Sequence, residues 1–230
     1  MKIDNNPSLY IQNQLSKFDE LWLETSNSWP PPGFTVDKHT RKNWGLIALP
    51  KAEDWQHVCE IIDVISQSWS WNIAYTLPQL HITIGSLGTP SSWKEHEEIL
   101  DAILRQATVY QDPIEVDFHG INLLRNTIIV QVIDKQDKFR KLVSEITALV
   151  KEAGLAKNLK IGIHDRLWWT SIVRLYQPIP DDIQSFVKSF RNIFLGSSVI
   201  NSIKLIENNK THDPLEVKLI DSYEFSRKRK

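Results

Sequence analysis

Apolar positions along the chain switch between a helical period and a strand-like period in a regular order. Ile11, Leu15, Phe18 and Trp22 recur every three or four residues, which predicts an amphipathic helix closed by Trp29-Pro30-Pro31-Pro32-Gly33. A triple proline cannot continue a helix, so residues 29–42 are expected to be an extended connector. From Trp44 the apolar run to Leu49 predicts a strand, and Val58, Ile61, Ile62 and Ile65 predict a helix. A strand is then expected over Leu80 to Ile84, a helix from Ser92 to Arg105, and two extended runs, Ile114 to Phe118 and Thr127 to Ile133, joined by a short loop.

The second half repeats this order. A helical pattern runs from Asp137 to Ala153 and stops at Gly154, and Leu167 to Arg174 reads as a strand. Pro180-Asp181-Asp182 opens a helix through Phe190, and extended stretches are expected over Val199 to Ile206 and Leu215 to Phe225, separated by Asn208-Asn209-Lys210. What recurs is an order of elements and not a string of letters, so two related lobes are expected instead of a solenoid. The chain divides into an N-terminal helix and connector over 1–43, a main domain over 44–225 and the basic tail 226–230.

Composition narrows the class. With 230 residues, 41% of them hydrophobic and 24% charged, the chain can bury a sizeable core as a globular protein. A formal net charge of -1 argues against bulk electrostatic binding of nucleic acid and leaves room for a local basic groove. Cys59 is the single cysteine, so no intrachain disulfide can form, and a reducing compartment, the cytoplasm, is the expected setting. The opening Met-Lys-Ile-Asp-Asn-Asn has no apolar run of the kind a secretion signal carries, and nowhere do about 18 apolar residues follow one another, so no membrane association is expected.

The candidate chemistry sits on the two corresponding strands. Leu80-His81-Ile82-Thr83-Ile84 places His81 and Thr83 on one face, where an imidazole and a hydroxyl can hold and protonate a phosphate oxygen. Downstream, Trp169-Thr170-Ser171-Ile172-Val173-Arg174 carries Trp169 and Ser171 in that arrangement. On a regular strand Arg174 would point away from Ser171; a bulge would bring it round.

These residues, with the order of elements and the closing Leu87-Gly88, resemble the two-histidine (2H) phosphoesterase superfamily, which includes 2′-5′ RNA ligase-like cyclic phosphodiesterases. The resemblance covers roughly residues 44–225. It implies an α+β, bilobed fold, with two pseudo-twofold-related lobes whose antiparallel sheets form a central cleft and whose helices lie outside. Each lobe of such a protein contributes a His-x-Thr/Ser motif to the cleft, the second often followed by two residues and an arginine. By the same resemblance His81 and Thr83 are the catalytic residues, and Ser171, Arg174 and Trp169 line the substrate site.

Trp169 departs from the pattern, since it stands where the second histidine should be. In the family one imidazole acts as base and the other as acid, and an indole has no accessible lone pair for either role. A tryptophan there can stack a nucleobase or fill the space. His164 is a possible substitute from the upstream loop, while His39, His119 and His212 are expected to be structural or exposed. His57 and Cys59 are too few ligands for a metal, and no metal or cofactor is expected. Three functions therefore stand open: a hydrolase acting on a cyclic phosphate or a 2′-5′ linked nucleotide or RNA end, a catalytically impaired binder of such a phosphate, and a scaffold whose cleft is plugged by Trp169.

Overall fold

The computed structural model describes residues 7–31, 42–70, 72–158, 167–176, 179, 181–209 and 217–226. His39, Trp71, His164, Pro180, Lys210, His212, most of the connector and residues 227–230 lie outside them. Among the described residues, no helix is long and apolar enough to cross a membrane.

The chain begins with helix α1 (Pro7–Asn27) and strand β1 (Lys42–Ala48), followed by α2 (Gln56–Ser68), the short β2 (Ile73–Ala74) and β3 (Ile82–Gly88). Helix α3 (Glu97–Thr108) leads to the hairpin β4 (Ile114–Leu124) and β5 (Thr127–Asp134). Then come α4 (Lys138–Glu152), β6 (Trp168–Arg174), α5 (Asp182–Phe190), β7 (Phe194–Ile200), β8 (Ser202–Asn209) and β9 (Lys218–Glu224). They form an α+β fold with two antiparallel sheets, one ordered β3-β1-β8-β9 and the other β2-β6-β5-β4-β7.

The two lobes interlock. The unit β1-α2-β3-α3 is followed by β4, which joins the five-stranded sheet, and the unit β5-α4-β6-α5 is followed, after β7, by β8, which joins the four-stranded one. Each sheet thus contains strands from both halves of the sequence. The expected single run Val199 to Ile206 is in fact two strands, which part at Asn201 and enter different sheets. Apolar alternation continues through Asn201 because both strands bury one face, so the period carries no mark of the crossing.

Smaller differences have local causes. Helix α3 begins at Glu97, not Ser92, because Pro90–Ser92 forms a single 3-10 turn and the buried Trp93 anchors the chain by donating its Nε1–H to the Leu87 carbonyl at 2.7 Å. Strand β4 continues beyond Phe118 to Leu124, with a register shift at Gly120. Gly120 has φ of +72°, and a Cβ there would lie 2.0 Å from the Arg191 carbonyl oxygen, so only glycine fits.

One large core cluster joins both sheets to the helices. Strand β5 is buried on both faces and divides them: Ile128, Val130 and Val132 belong to this cluster, while Ile129 and Ile133 form a second one with Phe18 of α1. Helix α1 therefore packs through Phe18 on the face of the five-stranded sheet opposite the main core, while its Trp22 joins the main cluster. Its buried stripe is Gln14, Phe18, Trp22 and Thr25, a helical spacing in which two of the four residues are polar.

Candidate functional site

His81 precedes β3 instead of lying within it, the expected strand from Leu80 being preceded by a 3-10 turn over Leu77–Gln79. That turn is built by Gln79, whose Oε1 accepts from the Thr76 amide at 2.7 Å and from the Thr76 hydroxyl at 2.9 Å. The turn aims the Gln79 carbonyl at His81 Nδ1, 2.8 Å away. A carbonyl oxygen only accepts, so Nδ1 carries the proton and Nε2 keeps its lone pair. Burial holds the imidazole pKa below its usual value; the Gln79 contact opposes this, and the nearby Arg174 charge adds to it. The shift favours the neutral imidazole.

A bulge occurs at the same place in both motif strands. In β3, Thr83 pairs with Ile47 and Gly85 with Leu46, leaving Ile84 as the extra residue. In β6, Ser171 pairs with Ile129 and Val173 with Ile128, leaving Ile172 as the extra residue. An extra residue turns everything after it to the other face. Accordingly His81, Thr83 and Ser86 are half-buried while Ile82, Ile84, Gly85 and Leu87 are buried, and Trp169, Ser171 and Arg174 are half-buried while Trp168, Thr170, Ile172 and Val173 are buried. The bulge therefore puts Arg174 on the face of Ser171, and His81-Thr83-Ser86 corresponds residue for residue to Trp169-Ser171-Arg174.

The two motifs are joined directly, because the Thr170 hydroxyl donates to the His81 carbonyl at 3.0 Å. Arg174 is fixed by two contacts that the sequence did not flag: its Nε donates to the Tyr75 hydroxyl at 3.1 Å and its Nη1 to the Thr127 hydroxyl at 2.6 Å. Thr127 is its cross-strand partner in β5, and Tyr75 is held beside β6 by a bond from its amide to the Ile172 carbonyl at 2.9 Å. In the first motif the position of Arg174 is taken by Ser86, which exchanges hydrogen bonds with Asn43 at 3.1 and 3.3 Å. Among the described residues the Thr83 and Ser171 hydroxyls make no hydrogen bond.

The indole of Trp169 packs against the cluster of Phe18, Ile129 and Ile133 beneath α1. Helix α1 is tied down by side chains that bond main-chain groups. Gln14 exchanges two bonds with the Asp134 backbone at 3.1 and 3.2 Å, Asn122 donates to the Phe18 carbonyl at 2.8 Å, and Thr25 donates to the Leu123 carbonyl at 3.2 Å. Arg191 pairs with Asp19 and lies 4.7 Å over the Trp22 ring.

His119 lies in β4 opposite Phe194, and His57 pairs with Glu60 at 3.1 Å on the surface. Among the described residues no cluster of three or more His, Cys, Asp or Glu side chains could hold a metal ion. An apolar hollow of about 330 Å³, lined by Ile61, Val64, Phe186, Phe190, Ile193 and Phe194 among others, shares no residue with either motif.

No family sequence model matches the chain and no curated protein matches it in sequence, so relationship is visible only in shape. The structure superimposes on TT0787 of Thermus thermophilus with a TM-score of 0.63 at 12% identity, covering 81% of this chain and 100% of that one. It matches E. coli LigT complexed with 3′-AMP with a TM-score of 0.55 at 11% identity, over 80% of this chain and 98% of LigT. A protein described as a phosphoesterase matches with a TM-score of 0.54 at 11% identity, over 81% of this chain and 99% of that one. The chain has the 2H phosphoesterase fold. These neighbours are matched over nearly their whole length while about a fifth of this chain is left over, a length close to that of residues 1–43.

Proposed function

We propose that this 2H-fold protein binds the phosphate of a nucleotide or RNA end in the cleft between its two motif strands, and that its hydrolytic power is reduced to what His81 alone supplies. The observation that carries this reading is the packing of Trp169 against Phe18, Ile129 and Ile133, because it fills the second motif's histidine position with an apolar side chain held by α1. Thr83 and Ser171 offer hydroxyls to the phosphate oxygens, and Arg174 supplies the positive charge, its guanidinium oriented by Tyr75 and Thr127. No metal takes part in the proposed binding. The neighbour complexed with 3′-AMP supports a nucleotide as the ligand class.

Residual turnover of a cyclic phosphate is favoured by one specific feature, the proton on His81 Nδ1. It leaves Nε2 free to take a proton from an attacking water as the ring P–O bond breaks, the departing oxygen then being protonated by solvent. Loss of a positioned acid lowers such a rate by about 10²- to 10⁴-fold.

The test is a titration with 3′-AMP and with adenosine 2′,3′-cyclic phosphate, followed by tryptophan fluorescence and product analysis. Saturable binding of both, weakened by His81→Ala and by Arg174→Ala, with slow opening of the cyclic ligand that His81→Ala removes, is the expected result. Absence of binding to either ligand by the folded wild-type protein would overturn the reading.

A further inference from the structure

The cleft face of the four-stranded sheet carries a cation that neither motif contains. Thr83 is opposite Ile47, Ile47 is opposite Lys204, and Lys204 is opposite Ser222, so these four side chains form one row across β3, β1, β8 and β9. Directly paired residues share a face, and the other face is identified independently, because Leu46, Ala48, Ile203, Leu205 and Tyr223 all belong to the main core. Lys204 thus faces the same side as Thr83, two strands away, a separation of roughly 10 Å at the usual strand spacing of about 4.8 Å.

Its surroundings suit an anion. Ile47 and Ile206, both buried, lie on the same face and give the aliphatic stem an apolar bed, while the ammonium makes no ion pair or hydrogen bond among the described residues. Of the acidic residues near it on β9, Asp221 is next to Ser222 and pairs with Arg105 at 2.9 Å, and Glu224 accepts from the Ser222 hydroxyl at 3.3 Å. The residue is half-buried, and an ammonium without a partner among the described residues is open to an arriving anion. On the five-stranded sheet the corresponding face carries Arg174 and is covered by α1 around Ile129 and Ile133. The cleft is therefore asymmetric, and a ligand longer than one nucleotide has its polar route along the sheet of β3, β1 and β8.

We infer that Lys204 is a second anion-binding residue of this cleft, receiving the phosphate next to the one held at His81, Thr83, Ser171 and Arg174, so that the preferred ligand is an oligonucleotide end and not a mononucleotide. This rests on the phosphate-binding reading above and assigns that site its ligand length.

The experiment compares adenosine 2′,3′-cyclic phosphate with an adenylyl dinucleotide ending in a 2′,3′-cyclic phosphate, titrated into wild type, Lys204→Met and Lys204→Arg at several salt concentrations. Wild type is expected to bind the dinucleotide about tenfold more tightly, the strength of one good charge-assisted contact. Lys204→Met should lose that advantage, leave the mononucleotide unchanged and lower the salt slope for the dinucleotide by about 0.7, and Lys204→Arg should restore most of it. Equal affinity of wild type for the two ligands, or equal weakening of both by Lys204→Met, would overturn the assignment of Lys204 while leaving the phosphate site standing. Failure of wild type to bind either ligand would overturn the phosphate site and this inference together.

Discussion

The hydroxyl of Thr170 donates to the carbonyl oxygen of His81 at 3.0 Å, so the strand bearing the altered motif fixes the backbone of the intact one. Thr170 is itself fully buried, between Trp169 and Ser171 on the opposite face of β6. Thr170→Val keeps the shape and removes the donor, leaving the part-buried His81 carbonyl without this partner. A loss of about 1–2 kcal/mol in denaturant unfolding is expected, together with weaker binding of 3′-AMP. An unchanged affinity in the destabilised variant would mean that the two motifs are not mechanically linked.

Tyr75 accepts from Arg174 Nε at 3.1 Å, and it acts on a ligand only through that arginine. Tyr75→Phe should therefore leave the guanidinium present but less well aimed. The expected result is a threefold to tenfold rise in the dissociation constant for 3′-AMP, about 1 kcal/mol, with the salt dependence unchanged because no charge is lost. Arg174→Lys should weaken binding more strongly, since lysine lacks the planar fork. If Tyr75→Phe lowers stability and leaves affinity alone, Tyr75 is a core residue and not a positioning one.

The position of Arg174 also shows what the sequence could and could not carry. Strict alternation predicts the wrong face for it, and the bulge that corrects this arises from the pairing with β5, which no local pattern encodes. The motif strands and all the long helices were legible because each shows a period of its own. The exchange of strands between sheets was not, since β4 and β8 have the same alternating pattern whichever sheet receives them. The docking of α1 was hidden for a different reason: its buried stripe includes Gln14 and Thr25, whose polar side chains look solvent-facing until their main-chain partners at Asp134 and Leu123 are known. Tyr75 and Thr127 gave no signal, being polar groups on ordinary apolar runs.

Asp134, at the end of β5, is fully buried and caps the start of α4, accepting from the amides of Gln136 at 3.1 Å and Phe139 at 2.8 Å. Burial pushes its carboxyl from 3.8 up to about 6, against the opposing pull of those two amides. The folded protein therefore holds this proton more tightly than the unfolded chain between those values. The stabilisation from that proton is complete below about pH 4 and is lost as pH rises through 6, a difference of about 3 kcal/mol at 1.36 kcal/mol per pH unit. The stability difference between wild type and Asp134→Asn, measured from pH 4 to pH 7.5, should shift against wild type by an amount of that order. A pH-independent difference would show that the Asp134 carboxyl titrates normally in the fold.

Trp169 and Phe18 decide how much of the second motif can be recovered. Trp169→His takes an indole out of the cluster beneath α1, which should cost about 2 kcal/mol on the scale of large-to-small substitutions, visible as a lower unfolding midpoint. It also returns an imidazole to the strand position two residues before Ser171, on the face of Arg174. Opening of adenosine 2′,3′-cyclic phosphate should rise by about 10²-fold or more, the contribution of one positioned acid. Phe18→Ala is the control, since it loosens the same cluster without supplying an acid: it should destabilise by about 3 kcal/mol or more and leave turnover unchanged. If Trp169→His folds and binds the nucleotide but gains no turnover, position 169 does not face the bound phosphate, and the match between the two motifs fails at the residue where it matters most. If Phe18→Ala alone raises turnover, the obstacle is the seat of α1 over the cleft and not the missing imidazole.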